Sequence, residues 1–222
     1  MITLYHSMSA RSFRPLWTIE ELGLPCTLKM LPFPPRVHAR AYLDVNPLGT
    51  VPLFIDGDVR ITESAAICHY LAVRYGPSPL AVRPDEAAFG AFLNWLHFGE
   101  ATLTFPQTIV LRYSRFEPAE RRSSQIVEDY TRWFLARLKG VEAVVSSCSY
   151  ICADRFTAAD ISVGYALMLA DHLNLGNRIP DGVSRYWRQL QERPAFVRAL
   201  ERQQSAAIEQ GVPAIAAPCV LP

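Results

Sequence analysis

Asn46-Pro47-Leu48-Gly49-Thr50-Val51-Pro52, followed eleven positions after Pro52 by Glu63-Ser64, decides the fold. Val51-Pro52 stands just ahead of an apolar run, Leu53-Phe54-Ile55. Proline lacks a ladder donor, so it opens a strand rather than continuing one, and a cis bond suits that position. Asp56-Gly57 signals a tight hairpin turn, and Val59-Arg60-Ile61 reads as the returning strand. Thr62 then caps a helix that begins with Glu63 and Ser64. Three ligand-facing features come together: a backbone at Val51 left free by the proline turn, unpaired N–H groups with the Ser64 hydroxyl at a helix start, and the Glu63 carboxylate. The first suits an extended peptide, the second a carboxylate, the third an amine. A small peptide with a free amino-acid end satisfies all three.

Outward from this unit, the first third alternates strand and helix. Ile2–His6 reads as a strand and residues 12–22 as a helix, with Leu16, Ile19 and Leu22 on one side. Pro15 falls in the tolerated first turn and Gly23 ends the helix. Residues 27–31 form a second strand, and Pro32-Phe33-Pro34-Pro35 forces a loop. A β-α-β then β-β-α order implies a mixed sheet with helices. Beyond Gly76-Pro77-Ser78-Pro79 the pattern is helical. Phe89, Phe92, Leu93, Leu96 and Leu103 share one long segment that Pro106 interrupts. A second long helix is expected from about Pro118, with Val127, Tyr130, Phe134, Leu138 and Val141 along it. A third is expected at Thr157-x-x-Asp160, a capping-box pair flanked by Phe156 and Ile161 in staple positions. Helices at 183–193 and 195–207 follow, then an irregular tail from Gly211.

Val51-Pro52, Glu63-Ser64 and Thr157-x-x-Asp160 together resemble the glutathione transferase family over nearly the whole chain, in a bacterial, serine-type, zeta- or theta-like form. The resemblance implies an α/β thioredoxin-like domain with a four-stranded mixed sheet at 1–78, a linker at 79–84 and an all-α domain at 85–222. It implies that the Val51 backbone holds the cysteinyl part of glutathione, while Glu63 and Ser64 hold its γ-glutamyl end. Arg36, His38 and Arg40 are candidates for the glycyl carboxylate. Phe105, Tyr113 and Phe116 are candidates to line an electrophile site between domains. A homodimer is implied too, with His97 or Glu100 of a long helix near a neighbour's Glu63.

A glutathione enzyme must hold a thiol of pKa about 8.5 as thiolate; lowering it by two units takes roughly 2.7 kcal/mol. A hydroxyl donor and the positive end of a helix are expected to converge on the loop after the first strand. That loop reads Tyr5-His6-Ser7-Met8-Ser9-Ala10-Arg11-Ser12-Phe13-Arg14. Where many similar bacterial members carry serine, this chain has Ala10. Ser9 and Ser12 are the candidate donors, with Arg11 adding positive potential. Ser12 reads equally well as a helix cap, and Tyr5 as a packed strand residue. The loop has no cysteine, which disfavours a mixed-disulfide mechanism. The expected function is attack of the bound thiolate on an electrophilic small molecule. The alternatives are a zeta-like glutathione-dependent isomerase and a non-catalytic binding or scaffold module.

The bulk numbers agree with a small-molecule protein. Half of the 222 residues are hydrophobic and the net charge is +1. Nucleic-acid binding would need a concentrated basic surface. No segment reads as a signal peptide or membrane span, so a cytoplasmic protein is expected. Five cysteines (Cys26, Cys68, Cys148, Cys152 and Cys219) read as scattered buried thiols, with the last helical pair, Cys148 and Cys152, one turn apart. The histidines show no metal-ligand spacing, so no metal is expected, and the resemblance implies glutathione as co-substrate.

Overall fold

The computed structural model describes residues 1–220. Packing divides it into two units. The first comprises Met1–Ser78 together with Glu192–Val220, and the second begins at Pro79 and runs to Gln191. The expected division at residue 85 follows secondary structure; packing instead groups the last helix with the sheet.

In the first unit, β1 (Ile2–His6) alternates buried and half-buried residues, so Ile2, Leu4 and His6 share the core face. Helix α1 (Phe13–Leu22) leads to β2 (Cys26–Met30), one residue earlier than expected. A short helix, α2 (Pro35–His38), forms where the proline run was read only as loop; Pro35 occupies its first turn. Strands β3 (Leu53–Asp56) and β4 (Val59–Ile61) make the hairpin, followed by α3 (Ser64–Arg74). The sheet order is β2-β1-β3-β4. β1 runs parallel to β2 and antiparallel to β3, with Tyr5 opposite Leu53. The sheet is therefore four-stranded and mixed.

Gly23 ends α1 at φ 62°, with its N–H on Glu20 and that of Leu24 on Ile19. α1 packs against α3 and against the distant α9 (Pro194–Glu209). Phe196 of α9 meets Phe13 and Trp17 edge-on at 5.5 and 4.9 Å. Arg193 clasps Glu21 through two bonds of 2.7 and 2.9 Å. Aromatic burial and a partly buried ion pair thus attach the last helix to the first.

In the second unit α4 (Phe89–His97) continues through a π-helical stretch, Phe98–Thr104, into α5 (Phe105–Leu111). Pro106 does not break the rod, because it falls in the first turn of α5 just after the π turns. α6 (Ser124–Val145) begins six residues after Pro118, at a cap in which Ser123 accepts the Ile126 N–H. α7 (Ala158–His172) is buried from Ala158 through Ala170 and packs on α4 and the π stretch. A Cβ on Gly99 would lie 2.5 Å from the Ser162 backbone, so only glycine lets the two helices meet there. α8 (Asp181–Gln191) closes the unit.

The start of α7 is the capping box expected from Thr157 and Asp160. Asp160 Oδ2 accepts the Thr157 N–H at 2.8 Å, while Oδ1 accepts from Ile151 N–H at 2.9 Å and Tyr186 O–H at 2.8 Å. Total burial pushes the Asp160 carboxyl up to about 6 despite these donors.

Two cysteine expectations are corrected. Only Cys68 and Cys152 are buried, while Cys148 and Cys219 are exposed and Cys26 is intermediate. Residues 149–152 form bends and Cys148 lies outside any helix, so the one-turn spacing does not apply. Among the described residues no helix is long and apolar enough to cross a membrane.

Candidate functional site

The antiparallel β1–β3 pairing brings the end of β1 and the start of β3 to one edge of the sheet. The β1–α1 loop and the Val51-Pro52 turn therefore lie together. Val51-Pro52 is cis. Its turn is fixed at Thr50, whose carbonyl accepts from Tyr42 O–H and Asn46 Nδ2, each at 2.9 Å. Gly49 has φ 58°, and a Cβ there would lie 2.7 Å from Arg36 Cβ. This close approach sets α2, and Arg36 with it, against the turn. Val51 lies beyond the β1–β3 ladder, which ends at Leu53, so the ladder does not use its backbone.

Thr62 does not cap α3. Glu63 holds the N-cap position in extended conformation (φ −86°, ψ 116°), and its side chain makes no capping bond. The first N–H groups of α3 accordingly receive no cap from that side chain. Glu63 is exposed and Ser64 buried. Ser64 Oγ accepts from Arg14 Nη1 at 3.1 Å. Since guanidinium only donates, the Ser64 proton is directed elsewhere and can itself be donated. Arg14 is completely buried in the first turn of α1. Its bond draws the α3 start toward the loop end of the sheet.

The start of α1 differs. Ser12 occupies its N-cap position but in helical conformation (φ −64°, ψ −9°), and its side chain makes no cap bond. The preceding turn does the work: Phe13 and Arg14 N–H donate to the Ala10 and Arg11 carbonyls at 2.8 and 3.2 Å. Those amides are thereby used within the loop, which corrects the expectation that this helix end faces a thiolate openly. Ser12 Oγ accepts the Ser7 N–H at 3.3 Å and is fully buried. Ser9, only 4% exposed, has φ 53°, a left-handed conformation that costs a non-glycine residue roughly 1 kcal/mol.

Two residues missed in the sequence act here. Arg14 is one. Gln203 of α9 is the other: its Oε1 accepts the Ser9 N–H at 2.9 Å and faces His6 Nε2 at 3.0 Å. Because an amide N–H can only donate, the Gln203 atom toward Ser9 is oxygen, and His6 Nε2 must carry the proton. Burial lowers the His6 pKa to about 4, so the ring is neutral near pH 7. A sequence signal existed for each. Arg14 interrupts a buried run from Phe13 to Ile19, and Gln203 lies on the stripe Phe196, Ala199, Gln203, Ala206.

The other candidates are scattered. Tyr5 packs against Tyr42 with the rings tilted 36° and 5.2 Å between centres, a packing role. Arg11 is half-buried in the loop. Arg36, His38 and Arg40 are exposed, and of these only Arg36 is seen against the turn. In the second unit Phe105 is exposed, and the Arg112 guanidinium lies over the Tyr113 ring at 5.8 Å. Phe116 is half-buried.

Known proteins match this chain along most of its length. The family model described as "Glutathione S-transferase, N-terminal domain" matches residues 4–79. Glutathione S-transferase 3 of Schizosaccharomyces pombe is 30% identical over 215 residues, spanning 91% of this chain and 88% of that protein. Glutathione S-transferase GstB of Escherichia coli is 27% identical, spanning 88% and 95%. Among solved structures, glutathione transferase URE2P6 of Phanerochaete chrysosporium, in complex with oxidized glutathione, superposes with a TM-score of 0.80. It is 25% identical, with 92% of this chain and 96% of that one covered. With the site geometry and a relative spanning nine-tenths of its length, the chain belongs to the glutathione S-transferase family.

Proposed function

We propose that this protein binds glutathione and activates its thiol for attack on an electrophilic small molecule. The observation that carries the reading is the start of α3, without a side-chain cap and with Ser64 held by Arg14. Ser64 and the first α3 amides take the γ-glutamyl carboxylate, Glu63 its amine, and Val51 with Pro52 the cysteinyl backbone. Arg36, beside the turn, takes the glycyl carboxylate, with His38 as the second candidate. Ser9 or Ser12 donates to the sulfur with Arg11 adding positive potential. Phe105, Tyr113 and Phe116 select the electrophile. Fixing both reactants adds proximity to thiol activation. The active species is a homodimer in the cytoplasm, so light scattering should give twice the chain mass.

A specific observation supports a second reading, glutathione binding without activation. Ala10 offers no donor, and both candidate serines are buried.

Calorimetry at neutral pH in two buffers of different ionisation heat separates the readings. Binding with proton release is expected for thiolate formation. Binding without release favours the silent module, and no binding overturns both.

A further inference from the structure

Gln203 stands 194 residues from Ser9 yet makes three contacts with the loop and strand end where the sulfur is expected. Its Oε1 takes the Ser9 N–H and the His6 Nε2–H, and its Nε2 donates to Ser9 Oγ at 3.4 Å. Gln203 is 2% exposed, so water does not compete for these bonds. The tail adds a second tether: Ala217 N–H donates to the Met8 carbonyl at 2.6 Å. A left-handed serine reverts to ordinary backbone unless its surroundings hold it. Here the amide of that serine is aimed at the Gln203 oxygen.

We infer that Gln203 is a positioning residue for thiol activation, holding Ser9 and the β1–α1 loop in the shape the glutathione sulfur meets. This rests on the glutathione reading above. Gln203 touches no substrate atom in this role. It acts through Ser9, while the carboxylate and amine contacts at α3 are independent of it. The inference therefore separates activation from affinity. Loss of the amide oxygen should raise the thiol pKa of bound glutathione and leave glutathione affinity nearly unchanged.

The test uses Gln203→Met, which keeps side-chain length and removes every hydrogen bond, and Gln203→Glu, which keeps both accepting contacts. Amide exchange at Ser9 and the thiolate ultraviolet band of bound glutathione are followed against pH. In Gln203→Met, Ser9 exchange is expected to rise at least about tenfold and the thiol to titrate close to free glutathione. The glutathione Kd is expected to stay within about threefold, as the α3 contacts remain. Gln203→Glu should restore the exchange rate, since both accepting contacts remain, while its negative charge keeps the thiol pKa above the wild-type value. A Gln203→Met protein with wild-type exchange and wild-type thiol titration overturns the inference. Should that variant fail to fold, Gln203→Asn, which withdraws the amide by one methylene, is read by the same criteria. A wild-type complex whose thiol titrates like free glutathione overturns the activation reading itself. That result appears before any variant is made, so the two failures are distinct.

Discussion

Helices α7 and α3 begin in opposite ways. At α7 the chain supplies its own anion: Asp160 gathers the Thr157, Ile151 and Tyr186 donors, and every atom of the cap is buried. At α3 the N-cap residue contributes no capping bond, and the buried Arg14 holds the serine that follows it. Helix α8 resembles the first case, since the Glu142 carboxylate accepts from Gly182 and Val183 N–H at 3.3 and 2.8 Å. The difference teaches where to look for a ligand. A helix start sealed by its own chain builds the fold, whereas one left without a side-chain cap, beside a rigid turn, suits a carboxylate from outside.

The largest effect should come from breaking the sealed start. Asp160→Ala removes the acceptor for buried donors and should lower unfolding free energy by about 3 kcal/mol or more. Denaturant titration of the second unit measures it. A loss below about 0.5 kcal/mol would show that the sealed cap is not structural.

Why this contrast was only half visible in the sequence is a matter of range. The box Thr157-x-x-Asp160, the Val51-Pro52 turn, the hairpin at Asp56-Gly57 and the Gly23 stop are written in residues a few positions apart. Their chemistry is local, so they could be read. The donors that complete the Asp160 site, Ile151 and Tyr186, come from elsewhere. So do Gln203 and Ala217 on the β1–α1 loop. Ser12 reads on residue type as either a cap or a thiol donor; it stands at the N-cap position, yet backbone bonds to Ala10 and Arg11 already serve that helix start. The start of α6 was misplaced for a similar reason: proline at 118 signals a helix start, but the serine cap at 123 governs it.

The β1–α1 loop sharpens the comparison through pH. Burial depresses His6 from its ordinary 6.5 to about 4, so the unfolded chain binds a proton that the folded chain refuses. This stability is complete above pH 6.5 and is lost as pH falls toward 4, by on the order of 3 kcal/mol. Asp160, raised to about 6 by burial, gains stability over the same range, so the diagnostic is the difference between proteins. From pH 7 to 4 the unfolding free energy of His6→Gln should fall less, or rise more, than that of the wild type. An unchanged slope in the variant would place the titration elsewhere.

The smallest effect concerns the α3 start. Ser64→Ala should raise the glutathione Kd about tenfold, equal to about 1.4 kcal/mol, while the thermal midpoint moves only a few degrees. Arg14→Met should weaken binding in the same direction through Ser64, with an added stability loss because a large buried side chain is removed. A Ser64→Ala protein with wild-type affinity would mean that α3 does not hold the ligand.

The most direct test of the contrast is a glutathione titration followed through backbone amide resonances. Saturable shifts are predicted at Val51, Ser64, Ala65 and Ala66, with the Ala158, Ala159 and Asp160 amides unmoved. Binding that leaves the α3 amides in place, or that shifts the α7 start instead, would contradict the account.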